Sequence, residues 1–155
     1  MSDFDVFNGD ADGICALTQL RNAEPRDSQL ITGVKRDISL LQQVKAQAGD
    51  RVTVLDVAME KNRAALDEVL AAGAEVFYVD HHVPGEIPQN PRLKAIINEA
   101  PDVCTSLLVN GHLQGRFRAW AVVGAFGDNL KKSAEALAKQ LDISEAELRL
   151  LEDLG

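Results

Sequence analysis

Hydrophobic residues along the chain form short apolar runs that alternate with stretches of helical spacing. Five runs rich in β-branched or aromatic residues predict β-strands at 4–7, 29–34, 52–55, 75–79 and 94–97. Three intervening segments with apolar residues every three or four positions predict helices at 14–22, 39–48 and 61–72. Continuous apolar strands separated by helices are typical of sheets covered on both sides. We therefore predict an α/β fold, with a Rossmann-like, mostly parallel sheet of about five strands and helices on both faces.

The pattern becomes purely helical after Pro101. Four amphipathic segments predict helices at 103–113, 117–126, 130–141 and 144–151. The sequence shows no internal repeat, linker or low-complexity stretch, and its 155 residues are the usual size of one domain. We expect one domain with a helical C-terminal part.

Composition and charge narrow the class of protein. Hydrophobic residues make up 46% of the chain and charged residues 26%, as in ordinary globular proteins. The net charge of −8 disfavours non-specific binding of nucleic acid. No apolar run approaches the roughly 18 residues of a membrane span, and the acidic N-terminus excludes a secretory signal. Cys15 and Cys104 lie among apolar residues, so we predict buried, reduced thiols in a cytoplasmic protein without membrane contact.

Polar residues with metal-binding chemistry follow several predicted strands. In parallel α/β sheets, ligands bind beyond the carboxyl ends of the strands, which makes these positions candidates for a site. A further carboxylate lies in the turn Gly127-Asp128-Asn129. The full set is Asp10 and Asp12 after the first strand, Asp56 after the third, Asp80, His81 and His82 after the fourth, and Asp128.

Each of these residues also has a structural interpretation. An aspartate at the start of a helix is often an N-cap, so Asp12, Asp56 and Asp128 taken singly fit capping as well as metal binding. Five carboxylates on one rim would repel each other unless cations neutralised them, so together they favour a metal site. Carboxylate and imidazole ligands suit Mn²⁺, with Mg²⁺ or Co²⁺ as further candidates.

Four segments, in the same order, resemble the motifs of the DHH phosphoesterase family. They are Asn8–Gly13, the lone Asp56, Asp80–His82 and Gly124–Asn129, and the resemblance covers residues 4 to about 130. This superfamily includes RecJ-type exonucleases, oligoribonucleases and manganese pyrophosphatases. The resemblance implies hydrolysis of a phosphodiester, phosphomonoester or phosphoanhydride, with a nucleotide or short nucleic acid as the expected substrate.

The resemblance also implies residue roles. Two divalent cations would be held by five residues, which are Asp10, Asp12, Asp56, His81 and Asp128. Within that set Asp56 would bridge both ions and Asp10 would bind only the first. Asp80 would orient a histidine ring and fix its tautomer, or serve as an occasional metal ligand, and His82 would contact the substrate phosphate or the leaving oxygen. Water activated by the metals would be the nucleophile, because Ser106 and Cys104 have no obvious base partner.

The sequence departs from the family at two places. Many members carry a histidine shortly before the first motif aspartate, whereas Asn8 is the nearest polar candidate here, so weaker binding of the first ion is expected. The Gly-rich motif ending in histidine that belongs to the family's substrate lobe has no counterpart. We therefore expect residues 1–155 to be the metal-binding catalytic domain alone, without its C-terminal substrate-binding lobe.

Two questions are left open by the sequence. Lys35 and Arg36 follow the second strand and could bind substrate phosphate, as could Arg116 and Arg118, or all four could be solvated surface cations. The alternative to an enzyme is a module that binds metal or nucleotide without turnover, inactive because the second lobe is missing. The oligomeric state has no signature in the sequence.

Overall fold

The computed structural model describes residues 1–34 and 39–155. Within these ranges the strands lie within one or two residues of their predicted positions. They are β1 (Asp3–Asn8), β2 (Gln29–Gly33), β3 (Arg51–Leu55), β4 (Glu75–Asp80) and β5 (Leu93–Ile97).

The strands form one sheet in the order β2-β1-β3-β4-β5, and all neighbouring strands are parallel. This arrangement confirms the predicted α/β fold class and the parallel sheet. The chain leaves β1 toward one edge of the sheet and returns to the other side of β1 as β3. Parallel sheets bind ligands where the strand order reverses in this way, just beyond the carboxyl ends of the strands. Asn8 ends β1 and Asp56 follows β3, so both residues lie at that place.

Six α-helices accompany the sheet in the part of the chain that the structure describes. They are α1 (Ala11–Ala23), α2 (Arg63–Ala71), α3 (Thr105–His112), α4 (Arg118–Gly127), α5 (Lys131–Ala138) and α6 (Glu145–Leu154). The last four confirm the predicted helical C-terminal part. Among the described residues, no helix has the length and apolarity needed to cross a bilayer.

The chain divides into two compact units. The sheet unit contains residues 1–9 and 26–99, and the helical unit contains residues 10–25 and 100–155. Alternate strand residues such as Val6, Val54 and Tyr78 pack with Leu66 and Leu70 of α2, forming the core of the sheet unit. The spacing of two follows from the strand geometry, which sends successive side chains to opposite faces.

The core of the helical unit has a different composition. Val122, Ala125 and Phe126 of α4 pack against Cys104 and Ala134. As predicted, Cys15 and Cys104 are free and buried. Burial, together with the carboxylates of Asp12 and Asp10, raises the pKa of Cys15 to about 12. Burial also raises the pKa of Cys104, so both thiols are poor nucleophiles at neutral pH.

The predicted helix at 39–48 is wrong. Only a short 3₁₀ turn forms there, Leu40–Gln43, and Val44 already has an extended backbone. In a continuing helix the Gln47 N–H would donate to the carbonyl four residues back, but it donates to Asp50 Oδ2 at 2.8 Å. A side-chain acceptor thus replaces the helical bond. Leu40 and Leu41 remain fully buried, and they produced the apolar spacing that indicated a helix.

Candidate metal centre

Four polar side chains come together in the sheet unit, at the carboxyl ends of β3 and β4. Asp56, Asp80, His81 and His82 each offer one ligand atom, and these atoms all lie within 4.8 Å of one another. Asp56 is 2% exposed and Asp80 is fully buried. Ligand atoms on opposite sides of one ion, each about 2.1 Å from it, would be about 4.2 Å apart. The four residues could therefore hold a metal ion with small adjustments.

The backbone at Asp56 has an unusual conformation. Its φ of 62° lies in the left-handed region, which costs a residue with a side chain on the order of 1 kcal/mol. Two hydrogen bonds hold this turn: the Asp56 N–H donates to Val79 O at 3.0 Å, and the buried Tyr78 hydroxyl donates to Val57 O at 2.5 Å. The position of the Asp56 carboxylate is thus fixed by β4, the neighbouring strand.

The two histidines have different carboxylate partners. His81 Nε2 lies 3.1 Å from Asp56 Oδ1, whereas His82 Nδ1 lies 2.7 Å from Asp80 Oδ1. Their ring centroids are 4.4 Å apart and the rings are tilted by 40°. The His81 side chain is 17% exposed and that of His82 is 44% exposed. His81 is therefore the more enclosed of the two, and His82 the one that solvent reaches.

Asp80 fixes both the orientation and the charge preference of His82. The hydrogen bond that His82 donates to Asp80 raises the pKa of His82, and this effect outweighs the burial that would lower it. Because Nδ1 faces the carboxylate, Nε2 is the nitrogen that can contact a ligand. The pair is suited to delivering a proton to an oxygen atom beside it.

Two buried oxygens of the sheet unit support a cation here. Within residues 1–34 and 39–155, no hydrogen-bond donor reaches Asp80 Oδ2 or Asn8 Oδ1. A buried acceptor without a partner is costly, and a divalent cation would satisfy it. The donor set of carboxylate, amide and imidazole matches Mn²⁺, Mg²⁺ or Co²⁺ chemistry. The residues present therefore fit a divalent metal.

The other three predicted aspartates lie in the helical unit, where each has a defined structural contact. Asp10 is the N-cap of α1, and its Oδ1 accepts from the Gly13 N–H at 2.9 Å. Asp12 lies inside the first turn of α1 and not in a loop, and it is 1% exposed. Asp128 directly follows α4, and its N–H donates to Gly124 O and Ala125 O. Capping and metal binding can coexist, because a carboxylate accepts at about four positions.

Known proteins resemble this chain in fold rather than in sequence. No known protein-family profile matches the sequence, and no curated protein matches it. Among solved structures, the chain is similar in fold to the exonuclease RecJ. That RecJ structure is described as bound to manganese, and the match has a TM-score of 0.56 at 21% identity. It covers 90% of this chain but only 42% of the RecJ chain. At this identity the likeness to RecJ establishes the fold alone.

The candidate phosphate-binding cations are placed only in part. Lys35 and Arg36 lie outside the described residues. Arg116 is exposed, with its guanidinium carbon 5.3 Å from the ring centroid of Phe117. Arg118 begins α4 and is half-buried.

Sequence reasoning missed the residues that hold the candidate ligands. Tyr78 supports the turn after Asp56, and the first residues of α3, Thr105 and Ser106, donate to Asp12. Thr105-Ser106 is a common sequence at a helix start. That signal gives no indication of a partner more than 90 residues away.

Proposed function

We propose that this chain is the metal-binding catalytic domain of a phosphoesterase. The observation that carries the proposal is the group formed by Asp56, Asp80, His81 and His82 where β3 and β4 end. The ordered resemblance to the DHH motifs supports the same function, and so does the fold similarity to a nuclease. The substrate is a phosphodiester, phosphomonoester or phosphoanhydride, with a nucleotide or short nucleic acid preferred.

We further propose that two divalent cations bind, with Mn²⁺ preferred over Mg²⁺ or Co²⁺. The proposed ligands are Asp10, Asp12, Asp56, His81 and Asp128, with Asn8 as a further contact to metal or substrate. Support comes from the family motifs and from the buried oxygen of Asn8 already described. When bound, such ions polarise a phosphoryl oxygen and supply water of lowered pKa.

His82 and Asp80 act on the substrate in this proposal. His82 Nε2 donates a hydrogen bond or a proton to a phosphoryl or leaving oxygen. Asp80 keeps the proton on Nδ1 and favours the charged ring. Lys35 and Arg36 are proposed to bind substrate phosphate.

The test is hydrolysis of bis-p-nitrophenyl phosphate and p-nitrophenyl phosphate by metal-stripped protein. We expect release of nitrophenol only after Mn²⁺ is added, and its loss in Asp56→Asn. Asp67→Asn, an exposed change on α2 with the same chemistry, should retain activity. Tight binding of Mn²⁺ with no turnover of either ester would favour the alternative of a binding module.

A further inference from the structure

Both oxygens of the Asp12 carboxylate accept hydrogen bonds from the start of a different helix, α3. Its Oδ2 accepts from the Thr105 N–H at 3.0 Å and its Oδ1 from the Ser106 N–H at 2.7 Å. These are the first two residues of α3, whose own N-cap, Cys104, makes no side-chain cap bond. One buried carboxylate of α1 therefore caps α3 with both of its oxygens.

The contact is reciprocal. Ser106 Oγ donates to the backbone carbonyl of Asp12 at 2.7 Å, so the two residues are joined at both their backbones and their side chains. The Ser106 carbonyl in turn accepts from Gln19 Nε2 at 3.1 Å. Asp12, Gln19 and Ser106 are all at least 99% buried. In such surroundings hydrogen bonds are strong and their geometry is well defined.

A glycine of α4 makes room for this arrangement. A Cβ atom at Gly124 would lie 2.2 Å from Ser106 Oγ and 2.5 Å from Ser106 Cβ. No side chain fits there unless Ser106 moves. Gly124 belongs to the segment that resembles the fourth DHH motif. The structural reason for a glycine at this position is the close packing of α4 against Ser106.

The geometry leaves Asp12 able to bind a cation. The two N–H groups and the Cys104 thiol, which also hydrogen-bonds to Asp12, are fewer donors than the roughly four acceptor positions of a carboxylate. The start of α3 also supplies a favourable field for negative charge. With an N–H on each oxygen, the carboxylate cannot rotate about its Cβ–Cγ bond without losing both bonds. Its remaining lone pairs are therefore held in fixed directions.

We propose that Ser106 is a positioning residue, which fixes the Asp12 carboxylate for a divalent cation, and that Gly124 gives it the space to do so. This inference rests on the proposed function, in which Asp12 is a metal ligand. Groups that orient a metal ligand typically contribute 10- to 100-fold to metal affinity. Losing the hydroxyl removes the bond that fixes the Asp12 backbone against the start of α3. The two N–H bonds to the carboxylate remain, but the α1 backbone that carries it is less firmly placed, so its position for a cation is less well defined.

The test measures Mn²⁺ affinity by calorimetry and by the free Mn²⁺ electron paramagnetic resonance signal. Ser106→Ala should weaken Mn²⁺ binding about 10-fold. The control is Ser133→Ala, which also removes a hydroxyl bonded to a backbone carbonyl, that of Asp102, but does not touch Asp12. It should bind Mn²⁺ like the parent. Melting temperatures in EDTA measure the purely structural cost of each change.

Three outcomes decide the inference. If Ser106→Ala lowers the melting temperature in EDTA but binds Mn²⁺ as tightly as Ser133→Ala does, Ser106 is structural only and the inference is wrong. If the parent protein itself binds no Mn²⁺, the proposed function is wrong, and the inference that depends on it is wrong as well. Should Ser106→Ala not fold, Ser106→Cys keeps the volume with a weaker donor, and parent-like affinity in that variant would equally overturn the positioning role.

Discussion

At the scale of single residues, the two adjacent histidines have different surroundings. His81 contacts the buried Asp56 carboxylate and is mostly enclosed. His82 contacts Asp80 and is nearly half exposed. This difference supports metal binding by His81 and substrate contact by His82.

Substituting each histidine should separate these roles. His82→Ala should leave Mn²⁺ affinity nearly unchanged and lower turnover by about 10²–10⁴, the usual contribution of a general acid. His81→Ala should weaken Mn²⁺ binding itself. Calorimetry and ester hydrolysis on the same preparations make the comparison. Equal losses of Mn²⁺ affinity in both variants would contradict the assignment.

Asp56 should dominate the effect of metal on stability. An ion that binds only the folded state stabilises it by mass action, by about 2.7 kcal/mol at 100 times Kd. For a chain of this size we expect Mn²⁺ to raise the melting temperature by roughly 5–10 °C. Asp56→Asn should remove most of that rise, because the proposed bridging residue contacts both ions. Thermal scans with and without Mn²⁺ measure it; a parent-like rise in Asp56→Asn would contradict bridging.

Residues at strand ends were predictable, but their supporting partners were not. Asp56, His81 and His82 follow apolar strands, and parallel strands place such residues at one edge. Asp12 shows the limit: the sequence left capping and metal binding equally open. In the structure Asp12 caps α3, because it accepts hydrogen bonds from N–H groups that lie 93 and 94 positions further along the chain. No local pattern encodes such a contact.

At the scale of elements, the strands were more predictable than the helices. β1, β3 and β4 were visible from their runs of buried apolar residues, and the less buried β2 and β5 from their short apolar runs alone. The 39–48 segment also has buried leucines, but Asp50 provides an acceptor that ends the helical bonding. The start of α1 was predicted three residues too late, because the cap at Asp10 allows the helix to begin at Ala11.

Asp50 also joins the starts of two strands, with a measurable dependence on pH. It accepts from the Ser2 N–H and the Gln47 N–H, both at 2.8 Å, and these bonds lower its pKa. A carboxyl group whose pKa is lowered by folding stabilises the folded protein at pH values above its unfolded pKa of about 3.9. This stabilisation is lost as the pH falls through the pKa of the folded state. Asp50→Asn should therefore be less stable than the parent at pH 7.

The difference in stability between parent and Asp50→Asn should narrow as the pH falls below about 4, because the Asp50 carboxylate of the unfolded chain takes up a proton there and that of the folded protein only at lower pH. Urea unfolding from pH 7 to pH 2.5 measures it. The exposed change Asp27→Asn serves as control and should track the parent across the range. A gap between parent and Asp50→Asn that stays constant with pH would exclude the carboxylate charge as its cause.

At the scale of the whole molecule, neither unit is a continuous piece of chain. The helical unit takes residues 10–25 from one part of the sequence and 100–155 from another. Leu17 and Leu20 of α1 are buried, and Thr105 and Ser106 of α3 hydrogen-bond to Asp12 of α1. The helical unit should thus require both segments to fold.

Fragment complementation tests this dependence. Residues 100–155 alone should show weak helical circular dichroism, and mixing with a 1–99 fragment should increase the helical signal beyond the sum of the two spectra. Leu20→Asp in the 1–99 fragment places a charge at a buried position and should abolish the gain. A 100–155 fragment that is fully helical alone, and whose helical signal does not change when the 1–99 fragment is added, would contradict the expectation.

The division of the helical unit also has a consequence during synthesis. After α1 leaves the ribosome, residues 24–104 must follow before α3 begins. At roughly 5–20 residues per second, that delay is about 4–16 s. During this delay the apolar side of the nascent α1 lacks its native partners. Exposed apolar surface of this kind is what chaperones bind. We therefore expect α1 to be open to aggregation during this interval, until α3 has been made.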